Sequence, residues 1–330
     1  MTKEMIEKIT KASGVSSGEL ILIHFWGEDS DKEIANNFLA AVAALGATPV
    51  LLQQSRSINR ELFLAATEEC FPKKFFDLFS KFDAVLDVFA YQPVVLGYEI
   101  KDEKMNLYRK YIAQLFHKLV ECKRFTQIKI PTIANAIDSP LQPQDYIQRM
   151  NQAYDIDYEA LEKDCEHEVK RFSGVNQVAV YTGVDCVLHF DLTGRNWFID
   201  AGDGDLPCGE IYIAPIENHT QGSVFFNKLY LDGEIYSNVI LQISNGKVND
   251  SSHPEIAKYI SEQPPENLTV CELGIGMNPH VTKLCGYTAL DEKMIGTFHI
   301  ALGANHLFGG TNVASQHVDF VGYGRIEVEK

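Results

Sequence analysis

No run of apolar residues in this 330-residue chain approaches the roughly 18 that a membrane-spanning helix needs. The first residues, MTKEMIEKITKASG, are charged and helix-like and lack the apolar segment of a secretory leader. Basic residues are scarce. Lys and Arg number 29 against 45 Asp and Glu, which gives a formal net charge of −16 and a sequence pI near 5.0. That balance excludes nucleic acid and anionic membrane as partners, because both require a basic footprint. It leaves cations, metals and small substrates. The seven cysteines form no C-x-x-C pair, so neither a disulfide framework nor a zinc ribbon is indicated, and a reducing cytoplasm is the expected location. A G-x-G-x-x-G after the first strand, a phosphate-binding P-loop and an H-E-x-x-H motif are all missing, which removes support for nucleotide binding and for a helix-borne zinc protease. There is no internal repeat and no low-complexity segment.

What is present divides into two textures. In the first, ELILIHFW (19–26), TPVLLQQ (48–54), DAVLDVFA (83–90) and IKIPTIAN (128–135) read as strands. They alternate with helical patterns at 30–46, 73–82 and 102–125, the signature of βαβ units and a mainly parallel sheet. Residues 145–172 read as one or two helices with a connector. Beyond Gly174, short strand-like runs separated by Gly, Asn and Asp predominate, with helices expected at 253–263 and near 288–294. The expected architecture is α/β. An N-terminal, mainly parallel α/β domain spans 1–173, and a C-terminal, β-rich α+β metal-binding domain spans 174–330.

The second half carries ionisable residues inside apolar or glycine-rich strings. Glu210 opens a strand in DLPCGEIYIAP, Glu272 lies in TVCELGIGMNP, and His299 lies in TFHIAL. His317 and Asp319 share SQHVDF, where an extended backbone turns residues two apart to one face. Taken singly, Glu210 fits a strand-end charge, Glu272 an acceptor for glycine N–H groups, and His299 a satisfied core histidine. Taken together, two glutamates, two histidines and an aspartate point to a metal site, because a buried carboxylate is costly unless paired or metal-bound. Five such donors exceed the needs of one catalytic zinc and could hold two ions through a bridging group, the chemistry amide hydrolysis requires. Around them, Arg195 fits either a substrate carboxylate or a turn. Asp203 and Asp205 fit groups that orient ligands or part of a turn, and Lys293 fits a neutralising or structural ion pair. Cys208 fits a soft ligand or a buried filler.

The strings LPCGEIYIAP, ELGIGMNP followed by DEKMIGTFHIALG, and FGGTNVASQHVDF resemble, in order, those of the thermophilic metallo-aminopeptidase family, the aminopeptidase T or M29 group. The resemblance covers roughly residues 190–322. It implies a metal-dependent aminopeptidase or related amide hydrolase using a dinuclear metal-activated water. By motif, the ligands of two divalent ions (zinc, cobalt or manganese) fall on Glu210, Glu272, His299, His317 and Asp319, with Glu210 or Glu272 as the base. The implied substrate is a short peptide or aminoacyl amide, and the implied state a homodimer. Long members of the family carry an active-site tyrosine seven residues after the histidine that matches His299. Here that position is His306, which could donate a hydrogen bond or lie idle in a loop. Dihydroxypyridine ring-cleaving dioxygenases, which use one iron(II), are similar as well. Their pattern has histidine at the position of Glu272 and lacks the residue matching His299, so the set here favours hydrolysis; a mononuclear iron enzyme, with His299, His317 and Asp319 as its face, is the first alternative. A non-catalytic small-molecule-binding protein is the second.

Overall fold

The computed structural model describes residues 1–93, 101–183 and 185–329. The chain separates into two compact units. The first takes Met1–Asp138, Gln142–Tyr158 and Gly202–Pro207; the second takes Ser139–Leu141, Glu159–Ala201 and Cys208–Lys330. Among the described residues no helix is long and apolar enough to cross a membrane.

The first unit is built on a parallel sheet. Its strands are β1 (Leu20–Trp26), β2 (Thr48–Gln54), β3 (Ala84–Phe89) and β4 (Arg124–Lys129), with the short β8 (Asp205–Leu206) at one edge, in the order β2-β1-β3-β4-β8. β1 and β3 are buried almost throughout, which is why both read as continuous apolar runs. One face of the sheet, through Leu22 and Val85, packs under the helix Asp102–Val120, which buries Tyr108, Tyr111, Leu115 and Leu119. Phe63, from the helix Arg56–Ala65, joins this cluster. The sequence pattern did not reveal that helix, although Ser55 caps it by accepting from the Ile58 N–H. The strand expected at 128–135 is displaced toward the N-terminus. β4 ends at Lys129; Pro131 cannot donate to a ladder, and Thr132 then caps a short helical turn by accepting from the Asn135 N–H.

The second unit holds two antiparallel sheets. Its strands are β5 (Gln177–Thr182), β6 (Cys186–Asp191), β7 (Phe198–Asp200), β9 (Glu210–Ile213), β10 (Gln221–Leu231), β11 (Glu234–Ser244), β12 (Lys247–Ser251), β13 (Val270–Gly276), β14 (Phe298–Gly303), β15 (His317–Gly322) and β16 (Arg325–Val328). One sheet runs β12-β11-β10-β6-β5-β16 and the other β15-β14-β13-β9-β7. The β10–β11 hairpin turns through Asp232 and Gly233, both at positive φ, the pair of conformations a two-residue turn needs to follow strand twist. Phe226 of the first sheet packs its ring against Phe298 and Phe320 of the second, at 6.0 and 6.1 Å between centroids, so the apolar faces of the two sheets share a core.

β8 is tied to the first unit by Tyr154, fully buried, whose hydroxyl lies 2.8 Å from the carbonyl oxygens of both Lys129 and Leu206. Tyr154→Phe keeps the ring and strands these acceptors. We expect it to lower the unfolding free energy by about 1–3 kcal/mol in urea denaturation. An unchanged midpoint would show that the hydroxyl does not hold the strand.

Candidate metal centre

The sheet β15-β14-β13-β9-β7 has two unlike faces. Directly opposed residues in antiparallel strands share a face. The register pairs Ile275 with Ile211 and Phe298, and Leu273 with Ile213 and Ile300; these apolar side chains form the core face. On the other face the opposed sets are Asp200, Glu210 and Gly276; then Gly274, His299 and Val321; then Glu272, Ala301 and Asp319; then Gly303 and His317. All five residues singled out by motif therefore project from one face. β15 turns His317 and Asp319 together, as alternation requires. Between them lie Gly274, Gly276, Ala301 and Gly303, and a Cβ at the three glycines would run into the His299 ring, the Met294 backbone and the Gln316 backbone, so the absence of side chains there lets the cluster close up.

Two local features aim the side chains. The register between β13 and β14 shifts between Val270 and Glu272, an irregularity at Cys271. Such bulges re-aim side chains. Here Cys271 Sγ and Glu272 Oε2 both reach the His317 ring, at 3.6 Å from Nδ1 and 3.5 Å from Nε2. Gly274 stands opposite His299, and a Cβ at Gly274 would sit 1.9 Å from His299 Nε2. The glycine, which in sequence reads as a flexible link, is the space the imidazole fills.

Glu272 is central. Its Oε1 lies 3.1 Å from His299 Nε2, and its Oε2 lies 3.5 Å from His317 Nε2. Glu210 Oε2 lies 3.4 Å from His299 Nε2, and Asp319 Oδ1 lies 3.5 Å from His317 Nε2. Ligand atoms of Glu272, His317 and Asp319 all fall within 4.8 Å of one another. His317 Nδ1 lies 2.9 Å from the Ala304 carbonyl, so that nitrogen donates and Nε2 is the one turned to the carboxylates. His299 is 1% exposed, whereas the His317 side chain is 34% exposed and marks the open side.

Lys293 completes the cluster. Its ammonium, buried, is 2.5 Å from Glu210 Oε1, 3.1 Å from Glu292 Oε1 and 3.5 Å from Asp200 Oδ2. Burial alone would lower its pKa, but these three carboxylates hold it well above the ordinary lysine value. Burial pushes Glu210 up to about 8, with Glu292 and Glu272 adding to the rise. Burial, then the Glu292 charge, raises Asp319. Burial opposes protonation of His299, yet its hydrogen bond to Glu272 and the charges of Glu210 and Asp319 raise it to about 9. His317 moves up for the same balance of reasons, with Asp319 its main partner. Burial dominates the carboxylate shifts, and an excess of negative charge holds the two imidazoles and the ammonium up. Asp200, Glu210, Glu272, Glu292 and Asp319 face one fixed ammonium.

The donors fit a divalent cation. They are imidazole nitrogens and carboxylate oxygens, the mixture zinc-type ions accept. Glu210 Oε2 and His299 Nδ1 are buried with no hydrogen-bond partner among the described residues. Asp200, which sequence reasoning passed over, is the carboxylate that joins Glu210 and Lys293; its signal was the strand-end position of FID beside the Glu210 strand. Asp203 and Asp205 are exposed and belong to the first unit. Cys208 is fully buried, and burial drives its thiol well above the ordinary range, so it offers no thiolate. Arg195 is 2.7 Å from Glu217 Oε2 and also bonds the Gly309 carbonyl. Glu217 accepts from the Thr311 N–H, so this pair tethers the loop after β14. His306 is exposed in the turn at 306–309 and makes no ion pair among the described residues.

No curated protein sequence matches the chain. Wild-type AmpT from Thermus thermophilus shares the fold with a TM-score of 0.67 at 16% identity, over 99% of this chain and 97% of that one. The 2,5-dihydroxypyridine dioxygenase of Pseudomonas putida KT2440 does so with a TM-score of 0.65 at 13% identity, over 99% and 93%. At these identities the likeness is one of fold, here a parallel sheet followed by two antiparallel ones. The sequence profile of a thermophilic metalloprotease family, M29, matches residues 9–328, the family the motifs resemble. With nearly its whole length matched, the chain belongs to the thermophilic metalloprotease (M29) family.

Proposed function

We propose that the protein is a metal-dependent aminopeptidase acting on short peptides or aminoacyl amides, with two divalent ions sharing Glu272. The observation that carries this reading is the Glu272 carboxylate, which turns one oxygen to His299 and the other to His317. Glu210, Glu272 and His299 would hold one ion, and Glu272, His317 and Asp319 the other. When bound, zinc, cobalt or manganese would polarise a carbonyl and acidify a water.

The chain's own groups do the rest. Lys293 occupies Glu210 Oε1, so only Oε2 is offered inward. The Ala304 carbonyl fixes the His317 tautomer. The surplus negative charge attracts the ammonium of a peptide N-terminus to the open side. Of the five carboxylates, Glu210, Glu272 and Asp319 belong to the proposed ligand set, and Asp200 lies buried beside Lys293. Glu292 is left, with its side chain 17% exposed and one oxygen held by Lys293. We assign to it, in place of Glu210 or Glu272 as the motifs implied, the proton taken from the attacking water and passed to the leaving amine.

Protein purified without chelator is expected to contain about two divalent ions per chain and to hydrolyse aminoacyl amides. Glu272→Gln should lose both properties; full metal content and activity in this variant would remove the shared ligand. One iron per chain, with oxygen uptake on a dihydroxylated ring, would instead select the ring-cleaving alternative. Gly274→Ala should displace His299 and reduce metal affinity by about 10–100-fold, measured against a chelating dye, with circular dichroism unchanged. Glu292→Gln should keep the metal and lose about 10²–10⁴ in kcat. Unaltered kcat would assign the proton transfer elsewhere.

A further inference from the structure

The first unit contains a second polar cluster that the peptidase reading does not use. His24, Asp87 and Gln127 lie at one register level on the adjacent parallel strands β1, β3 and β4. They share the sheet face of Leu22 and Val85, which packs under the helix Asp102–Val120. His24 Nδ1 is 2.8 Å from Asp87 Oδ1, and Gln127 Nε2 is 3.4 Å from Asp87 Oδ2. His24 and Asp87 are 3% and 2% exposed. A buried histidine and aspartate in a sheet core are costly, and a structural pair would satisfy both ring nitrogens. Here Nε2 is buried with no hydrogen-bond partner among the described residues.

His24, Asp87 and Gln127 line a cavity of about 240 Å³. Its other walls are mainly apolar: Trp26 and Phe89, two residues beyond His24 and Asp87 on the same strands, Ile112, Leu115 and Phe116 from the covering helix, and Pro93 beside the polar Gln92. The Trp26 ring meets His24 edge-on at 5.4 Å. The strand order β2-β1-β3-β4 reverses direction between β1 and β3. In open parallel sheets ligands bind at the carboxyl ends of the strands where the order reverses, and His24 and Asp87 are the pair across that point.

We propose that the row His24–Asp87–Gln127 is the polar floor of a binding site for a small aromatic molecule with one O–H or N–H donor, of phenol to indole size. The polarity follows from the pair. A carboxylate at Asp87 accepts only, so His24 donates to it through Nδ1, and in the neutral imidazole Nε2 is then an acceptor that asks for a donor. The size follows from the volume. A dry cavity of about 150 Å³ holds benzene, so this one holds a ring with a substituent.

The test is calorimetric titration of the full chain with phenol and with anisole, which has the ring but no donor. Phenol should bind saturably with one site per chain, and anisole about tenfold more weakly, the worth of one hydrogen bond. His24→Phe should abolish the difference. Because that variant leaves Asp87 without its partner and can lose its fold, Ile112→Trp provides a second arm: it fills the cavity, spares the polar row, and should abolish phenol binding. Absence of saturable binding, equal affinity for phenol and anisole, or undiminished binding by Ile112→Trp would each overturn the proposal.

Discussion

Five carboxylates and one ammonium share a largely buried face of the second unit, and the candidate centre depends on that imbalance. Charges removed from water require opposite charge within a few ångströms, or protons. Lys293 answers part of the demand by sitting among Glu210, Glu292 and Asp200. The rest shows in His299, His317, Glu210 and Asp319, whose pKa values rise. A centre so charged is a store of affinity for cations, and the imidazoles decide which cations suit it.

The fold supplies the geometry by dividing one sheet into two chemistries. Phe298, Ile300 and Phe320 face the core, while His299, Asp319 and Glu272 face away from it. Strand alternation does this along β14 and β15 without any special device. β13 needs two: the irregularity at Cys271, which brings Glu272 into line, and Gly274, which yields its side-chain volume to an imidazole.

Much of this was legible in sequence, for local reasons. His317 and Asp319 are two apart in an extended run, and Glu210, Glu272 and His299 sit in strings too apolar for surface charges. The parallel-then-antiparallel order followed from period and turn composition. What was not legible depends on lateral pairing. Asp200 meets Glu210 only through register, while Asp203 and Asp205, closer in sequence, belong to the other unit. Arg195 read as a possible carboxylate binder, yet its guanidinium is engaged by Glu217. ELILIHFW read as plain strand, because nothing within eight residues announces an aspartate 63 positions away beside His24. The helix Arg56–Ala65 escaped because its stability comes from Phe63 packing in a distant aromatic cluster rather than from its own pattern.

Between the ionisable residues lie Gly274, Gly276, Ala301 and Gly303, with the backbone groups of their strands committed to the ladder and the space above the glycines taken by His299, Met294 and Gln316. At the margin Tyr212 stacks on Phe198 at 5.5 Å, and the Phe308 ring meets both Tyr212 and His317. Phe308 belongs to the loop tethered by Arg195 and Glu217. One ring against His317 thus rides on a connecting segment while the candidate ligands stay on the strands, so that segment can change without disturbing them.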